Sequence, residues 1–330
     1  MLSAKAFSHK VAATILLSTT LCMPSAYAAT TLKLSHNGDV KSPVHKAMKF
    51  FADQVKDKTG GEVKVRIYPN GQLGTQRESM ELMQSGALDM VKTNASEMES
   101  FAPAYGAFNI PYLFRDRDHY YRALESKDVG QKILDSSKDL GFVGITYYDG
   151  GARSFYANKA IRTPSDLKGL KIRVQPSPSA VKMMELMGAA PTPLPFGELY
   201  TALQQGVVDG AENNVNSVTT YRHGEVAKFY SLDEHTMIPD VLVIGTGSWN
   251  KLTADQQAAM KAAGSESMAY MKKIWGENVE RELKVAEKMG VTIISVEKTP
   301  FMNAVSPMHE EALAKPAITE YVKAIKALDK

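Results

Sequence analysis

One short pattern occurs twice in this chain, and it restricts the fold more than any other feature. Residues 80–94 read MELMQSGALDMVKTN and residues 200–214 read YTALQQGVVDGAENN. Aligned at one constant offset, Gly86 meets Gly206, Asp89 meets Asp209, Asn94 meets Asn214, and Glu78 meets Glu198 just upstream. Each copy predicts a helix, a glycine at its C-terminus and a short strand running into a polar turn. Two copies imply two related α/β lobes, and facing lobes would bring the two polar turns to opposite walls of one cleft. Ligands are expected there, outside the carboxyl ends of strands.

The same alternation extends along the rest of the chain. Residues 31–35 (TLKLS) form a first strand, and Ser42-Pro43 opens a helix with an N-cap serine and an N1 proline. Its apolar face carries Val44, Met48, Phe51 and Val55, and Gly60-Gly61 ends it. EVKVRIY (62–68) alternates strictly and predicts a strand. After a loop over 69–74, a helix runs through Met83 to Gly86, and a strand over 87–91 delivers Thr93-Asn94. The aromatic, proline-rich run 101–114 predicts a packed loop. Helices follow at 118–124 and 129–140, and a strand at 141–148 leads into Asp149-Gly150-Gly151, the crossing to the second lobe. Ser231–His235 and a strand at 241–246 return the chain. Thr253, with Gln256 at the capping-box position, starts a helix that no proline interrupts before Gly290. A strand at 291–296 and helices over 302–328 close the chain.

Composition excludes several classes of function. Of the 330 residues, 44% are hydrophobic and 23% charged, an ordinary globular balance, and the net charge of +3 is too small and too dispersed for a nucleic-acid surface. The amino terminus is a secretory signal: Lys5, His9 and Lys10 precede an apolar run from Val11 to Met23, and Ala26-Tyr27-Ala28 is a cleavage site. Cleavage after Ala28 leaves a mature chain from Ala29. Cys22, the single cysteine, lies within the signal and follows threonine and leucine, which points to cleavage and not lipidation. The mature chain is then without disulfide, thiolate chemistry or a thiolate metal site. No later run reaches transmembrane length, so any transport requires separate membrane subunits.

Residues 151–214 hold the candidate chemistry. In Leu170–Gln175, Leu170, Ile172 and Val174 face a core, while Lys171, Arg173 and Gln175 point the other way. A second short strand, Arg153–Asn158, also carries an arginine. Two guanidinium forks on neighbouring strands would suit one carboxylate; surface charges or partners for Asp and Glu are the alternative reading. Nucleotide-binding glycine motifs, G-x-S-x-G and H-E-x-x-H are absent, and the seven histidines are scattered. His235, within Asp233-Glu234-His235, reads as a structural or hinge histidine or, in isolation, as a base or metal ligand. Without a nucleophile–base pair or a metal cluster, the pattern is that of a binder and not an enzyme.

The segments RSFYANK, TPSDLKGLKIRV, PLPFGELYTALQQGVVDGAEN and SLDEHT resemble the signature of the extracytoplasmic solute-binding proteins of tripartite ATP-independent periplasmic (TRAP) transporters, and the resemblance spans essentially the whole mature chain. It implies a two-lobed α/β periplasmic-binding-protein (Venus-flytrap) fold with a hinge and one long helix spanning both lobes. Residues 1–28 would be the signal peptide, 29–150 and 239–278 lobe I, and 151–238 and 279–330 lobe II. By the resemblance, Arg173 forms the salt bridge to the ligand carboxylate, Arg153 is the second arginine, Phe196 the aromatic wall and Asn213 the ligand-binding asparagine. His36, Asn37, Gln76, Glu78 and Asn94 would face the distal end of the ligand. As bare residues, Gln76, Glu78 and Asn94 equally read as turn or cap residues and Phe196 as core.

The implied mechanism is capture of a carboxylate between the lobes, hinge closure, and docking on small and large membrane subunits. Neither cofactor nor metal is called for, and a periplasmic monomer is expected. The spellings GARSFY, KIRVQPS and DGAENN look like family members that bind sugar acids such as glucuronate or galacturonate. C4-dicarboxylate and sialic-acid binders share the carboxylate site and differ distally; the lack of a second basic cluster disfavours dicarboxylates. The rival readings are a periplasmic sugar-acid enzyme, with Tyr156 or His235 as base, and a sensor subunit presenting its ligand to a membrane receptor.

Overall fold

A computed structural model describes residues 29–328; the signal segment, with Cys22 and the cleavage site after Ala28, lies outside the described residues. In chain order the strands are β1 Thr30–Ser35, β2 Val63–Tyr68, β3 Met90–Asn94, β4 Phe142–Tyr148, β5 Ala152–Ala157, β6 Lys171–Val174, β7 Ala190–Pro193, β8 Gly210–Asn213, β9 Phe229–Met237, β10 Asp240–Gly245 and β11 Thr292–Ser295. The α-helices are α1 Pro43–Lys58, α2 Gln76–Gln84, α3 Ala95–Met98, α4 Arg117–Glu125, α5 Lys132–Asp135, α6 Pro178–Leu186, α7 Leu199–Gln204, α8 Val215–Val218, α9 Thr246–Trp249, α10 Ala254–Lys288, α11 Thr299–Ala314 and α12 Thr319–Ala327.

The strands form a five-stranded sheet, ordered β2-β1-β3-β10-β4, and a six-stranded sheet, ordered β11-β9-β5-β8-β6-β7. In the first, β1 pairs in parallel with β2 and β3, and β10 runs antiparallel between β3 and β4. In the second, β8 lies parallel to β6 and antiparallel to β5.

The duplicated sequence is a duplicated structure. Helix α2 leads into β3 beside β1, and α7 leads into β8 beside β6. Gly86 and Gly206 end their helices with φ of 80° and 70°, backbone conformations open to glycine. Asp89 Oδ2 accepts the Lys33 amide of β1 at 2.8 Å, and Asp209 Oδ2 accepts the Lys171 amide of β6 at the same distance. Asn94 then caps α3, and Asn214 caps α8.

Two local expectations shift. The strand of the first copy begins at Met90 and not at 87, because the amides of Ala87 and Leu88 both bond back to Leu82 O and stay with the helix end. The helix expected over 129–140 is broken into a π turn, α5 and a 3-10 turn. There the Ser136 and Ser137 hydroxyls bond to the carbonyls of Ile133 and Leu134, competing with regular helix continuation.

The chain crosses between sheets at 149–151 and returns at 238–239. The two crossings are pressed together: a Cβ on Gly150 would lie 2.5 Å from Ile238 O. Buried Asp149 fixes the first crossing, accepting Tyr121 Oη at 2.5 Å, Gly151 N at 2.7 Å and Arg117 Nε at 3.0 Å. The 35-residue α10, begun by the expected Thr253–Gln256 capping box, packs on both sheets. Met260, Met271 and Trp275 enter the core that holds Leu34, Phe51 and Ile145; Ala286 enters the core of Leu199, Ala211 and Val218. Helix α11 packs Phe301 and Val305 against Ile172 and Val174, whereas Val322 and Ile325 of α12 reach the core of Tyr105, Phe108 and Val241. Among the described residues, no helix is long and apolar enough to cross a membrane.

Candidate functional site

A cavity opens between the two sheets, where the duplicated polar turns face each other. The first sheet supplies Lys92 and Asn94, alternate residues on one face of β3, and Asp240, directly opposite Asn94 in register on β10. Asn37, in the turn after β1, and Gln76, at the start of α2, complete that wall. From the side of the second sheet come Arg153 on β5, Arg173 on β6, Gln175 just after it, Asn213 at the end of β8, and Phe196 in the turn before α7. Gly150, Ile238 and Trp275 border it from the crossings and from α10.

The expected alternation along β6 explains how Arg173 gets there: Ile172 and Val174 are wholly buried in apolar core while Arg173 and Gln175 point to the cavity. The Arg173 side chain is also fully buried. Its Nε and Nη2 donate to Leu194 O at 2.9 and 2.6 Å, but Nη1 has no partner. Its Cζ lies 5.8 Å from the Phe196 ring centroid. Burial lowers the arginine's pKa, with the Tyr156 and Glu212 fields opposing it. The outer Nη1–Nη2 edge of a buried guanidinium is thus left for a planar anion.

Arg153 is held differently. The two arginine strands are not neighbours, which corrects the sequence reading: β8 lies between β5 and β6. That strand brings Glu212 to Arg153, with Nε–Oε2 at 2.6 Å and Nη2–Oε1 at 2.9 Å. Nη2 also donates to Glu212 O at 2.8 Å and Nη1 to Asn213 Oδ1 at 2.7 Å, leaving a single N–H on Nη1 unused. Burial disfavours the Glu212 carboxylate, but Arg153 and His235 outweigh it and bring its pKa down to about 2. His235 lies behind Glu212, between it (3.2 Å) and Asp233 (2.8 Å). Burial opposes its charge, yet the two carboxylates raise its pKa to about 9. His235 and Tyr156 are both wholly buried and do not line the cavity. The Tyr156 hydroxyl is engaged by His223 Nδ1 at 2.9 Å.

Of the nine residues singled out in the sequence, Arg173, Arg153, Asn213, Phe196, Asn94, Gln76 and Asn37 line this one cavity. His36 and Glu78 do not. His36 is turned inward: Nδ1 accepts the Gly38 amide at 3.0 Å, so Nε2 carries the proton toward His45, 3.0 Å away. Burial and then the nearby Lys92 lower its pKa to about 3. Glu78 sits at N3 of α2, where its carboxylate accepts the Thr75 amide at 2.8 Å in a capping box. It borders an adjoining pocket with Gly74, Thr75 and Gly197, which shares Asn37, Gln76 and Phe196 with the cavity.

Sequence reasoning missed the Lys92–Asp240 pair, joined at 3.0 Å across β3 and β10. The available signal was a lysine inside MVKTN, a strand buried at every position. Two further acceptors lack partners, Gln76 Oε1 and Gln175 Oε1, although Gln76 Nε2 donates to Glu97 at 2.5 Å. Among the described residues no group of three or more acidic or histidine side chains could hold a metal ion.

Two α/β sheets joined by paired crossings, one helix spanning both, and a polar cavity with a buried free guanidinium edge between them define a ligand-clasping binding protein. The chain belongs to the bacterial extracellular solute-binding protein family 7, whose model matches residues 34–315. It is 41% identical to YiiZ of Salmonella typhimurium, over 93% of this chain and 94% of that protein. It is similar to the TRAP periplasmic solute binding protein of Anaerococcus prevotii, solved with bound α/β-D-glucuronate: TM-score 0.88, 35% identity, 91% of this chain and 98% of that one. A Bradyrhizobium counterpart, solved with α/β-D-galacturonate, gives TM-score 0.87 and 38% identity over 90% and 99% of the two chains. The two sheets are thus the lobes of the TRAP solute-binding fold, and α10 is its spanning helix.

Proposed function

We propose that this chain captures a hexuronate, such as D-glucuronate or D-galacturonate, in the periplasm and delivers it to the small and large membrane subunits of a TRAP transporter. The observation that carries the reading is the unpaired Nη1 of Arg173 in the interlobe cavity. An uncompensated buried cation is costly, and a carboxylate on the free Nη1–Nη2 edge would relieve it. In this reading the remaining Arg153 N–H and the Asn213 amide, both at the cavity, donate to the second carboxylate oxygen.

The charge balance favours one carboxylate. Lys92 is paired with Asp240 and Arg153 with Glu212, so Arg173 is the cation without an acidic partner among these five. The other wall is suited to hydroxyls: Asn37 and Asn94 donate and accept, and the free Gln76 oxygen accepts, while the free Gln175 oxygen adds an acceptor on the Arg173 side. Bridging ligand contacts would favour closure about the 149–151 and 238–239 crossings. The two bases named for the enzyme reading, Tyr156 and His235, are both engaged in the interior and stand off the cavity.

The test is a thermal-shift and calorimetric screen of the mature chain, unfolded and refolded to strip co-purified ligand, against uronates, aldonates, C4 dicarboxylates and sialic acid. Ligand at about 1,000 times its Kd adds roughly 4 kcal/mol and a shift of several degrees. A large shift with a uronate, without turnover, is expected. A shift with succinate-like acids alone would overturn the uronate reading, and no shift with any acid would overturn the role of Arg173.

A further inference from the structure

We infer that the Lys92–Asp240 ion pair sets the charge specificity of the cavity, keeping it selective for acids with one carboxylate and a hydroxylated far end. This rests on the proposed capture of a sugar acid and adds the residues that discriminate among such acids. The pair stands on the first sheet, on the wall opposite Arg173. Its side chains are 7% and 15% exposed, and Lys92 Nζ lies 3.0 Å from Asp240 Oδ1.

A pair in this setting needs a reason beyond stability. Two charges withdrawn from water gain little over an apolar pair of the same volume, and the neighbouring β3 and β10 residues Val91, Val241 and Val243 are apolar and wholly buried. What the pair does supply is a polar wall without net charge. Remove Asp240, and Lys92 becomes a second unneutralised cation facing Arg173, which suits a diacid. Remove Lys92, and the wall keeps Asp240 without its cation; burial already raises that carboxyl's pKa, and in neither its neutral nor its charged form does it attract a second carboxylate.

Among the surroundings, Glu97 is a further ionisable group on this wall whose field reaches both Lys92 and Asp240. His36 behind Lys92 is neutral, its Nδ1 occupied by the Gly38 amide. Asn94, opposite Asp240 in register, is neutral. Glu97, one helical turn on, accepts the Gln76 amide, and burial raises its pKa against the opposing fields of Arg173 and Lys92, which disfavours its charged form as a substitute for Asp240. Arg153 is already matched by Glu212. Changing either member of the pair therefore changes what the distal wall offers a second carboxylate.

The test compares Kd for D-galacturonate with Kd for galactarate, the sugar diacid of the same configuration, by titration calorimetry at fixed ionic strength. Asp240→Asn is expected to shift the ratio toward galactarate by about tenfold or more, and Lys92→Gln to shift it toward galacturonate. The double variant is expected to return near the wild-type ratio. Circular dichroism reports folding, and either single variant that folds is decisive because each has its own expected sign. A ratio within about threefold of wild type in a folded single variant, or a shift of the wrong sign, overturns the inference while leaving uronate capture standing. If the wild-type chain binds no single-carboxylate sugar acid, the proposed function falls, and this inference with it.

Discussion

Arg153 gives both nitrogens of one guanidinium edge to the Glu212 carboxylate, at 2.6 and 2.9 Å, so the fork that the sequence offers to a ligand is already occupied within the protein. Arg173 has no such partner, and the two arginines should therefore fail differently. Arg173→Ala is expected to cost about 2–5 kcal/mol of ligand binding with little loss of unliganded stability, since it removes a buried unpaired cation. Arg173→Lys should bind almost as poorly, because an ammonium does not reproduce the fork. Arg153→Met should instead lower unliganded stability by about 3–5 kcal/mol, leaving buried Glu212 without its bidentate partner and with only His235 beside it. Urea unfolding and calorimetry separate the two effects; equal losses of stability would refute the asymmetry.

The buried network behind Arg153 gives stability a definite pH profile. His235 is raised from 6.5 to about 9, so its contribution is complete below pH 6.5 and is lost as pH rises through 9. Glu212 is lowered from 4.5 to about 2, so its contribution is complete above 4.5 and is lost as pH falls through 2. His36 and His223 are lowered from 6.5 to about 3 by burial; the unfolded chain takes their protons first, and stability drains as pH falls from 6.5 toward 3. Each group contributes a slope of up to about 1.4 kcal/mol per pH unit within its window. Thermal unfolding from pH 4 to 9.5 should peak near 6.5, and His235→Gln should flatten the alkaline arm. An unchanged alkaline arm in that variant would assign it to another group.

What the sequence made legible depended on the range of the interaction. The alternation of Ile172, Arg173 and Val174 is local, and so is the repeat, whose glycines and aspartates make the same bonds in both lobes. The Thr75–Glu78 capping box is local too, and in the structure its geometry holds the Glu78 carboxylate. The occupancy of Arg153 is not, since Glu212 lies 59 residues away and arrives only because β8 inserts between β5 and β6. Lys92 and Asp240, 148 residues apart, were invisible for the same reason. The inward turn of His36, next to a cavity-lining Asn37, follows from one Gly38 amide that side-chain periodicity does not register.

Beyond the crossings, the Glu99 carboxylate bonds from the first lobe to the second. Glu99, just after α3, accepts Ser177 Oγ at 2.5 Å, Ser179 N at 2.9 Å and Ser179 Oγ at 2.7 Å, at the N-terminus of α6 in the second lobe. The helix dipole and the charge-assisted bonds favour this docking. Glu99→Ala is expected to weaken closure by about 1–2 kcal/mol, roughly a tenfold rise in Kd. Small-angle scattering should show a larger radius of gyration in the presence of subsaturating ligand. Wild-type affinity and dimensions in the variant would mean that Glu99 does not hold the lobes together.

The first crossing depends on a residue without a side chain. Gly151 has φ of 66°, and a Cβ there would lie 2.6 Å from Trp275 Cζ2 and 3.0 Å from its Nε1. Gly86 has a comparable φ of 80° but no atom within 4 Å of the same position. Alanine at Gly86 should therefore cost only the left-handed backbone term, about 1–2 kcal/mol. Alanine at Gly151 adds overpacking against a buried indole on the helix that spans both lobes, for a total of about 2–4 kcal/mol. Trp275 also borders the cavity, so displacing its ring should weaken ligand binding, which Gly86→Ala should leave intact. Urea unfolding and calorimetry on the two variants make the comparison. Equal stability losses with unchanged affinity in both would mean that the crossing yields without disturbing Trp275, and that the hinge tolerates a side chain the static packing rejects.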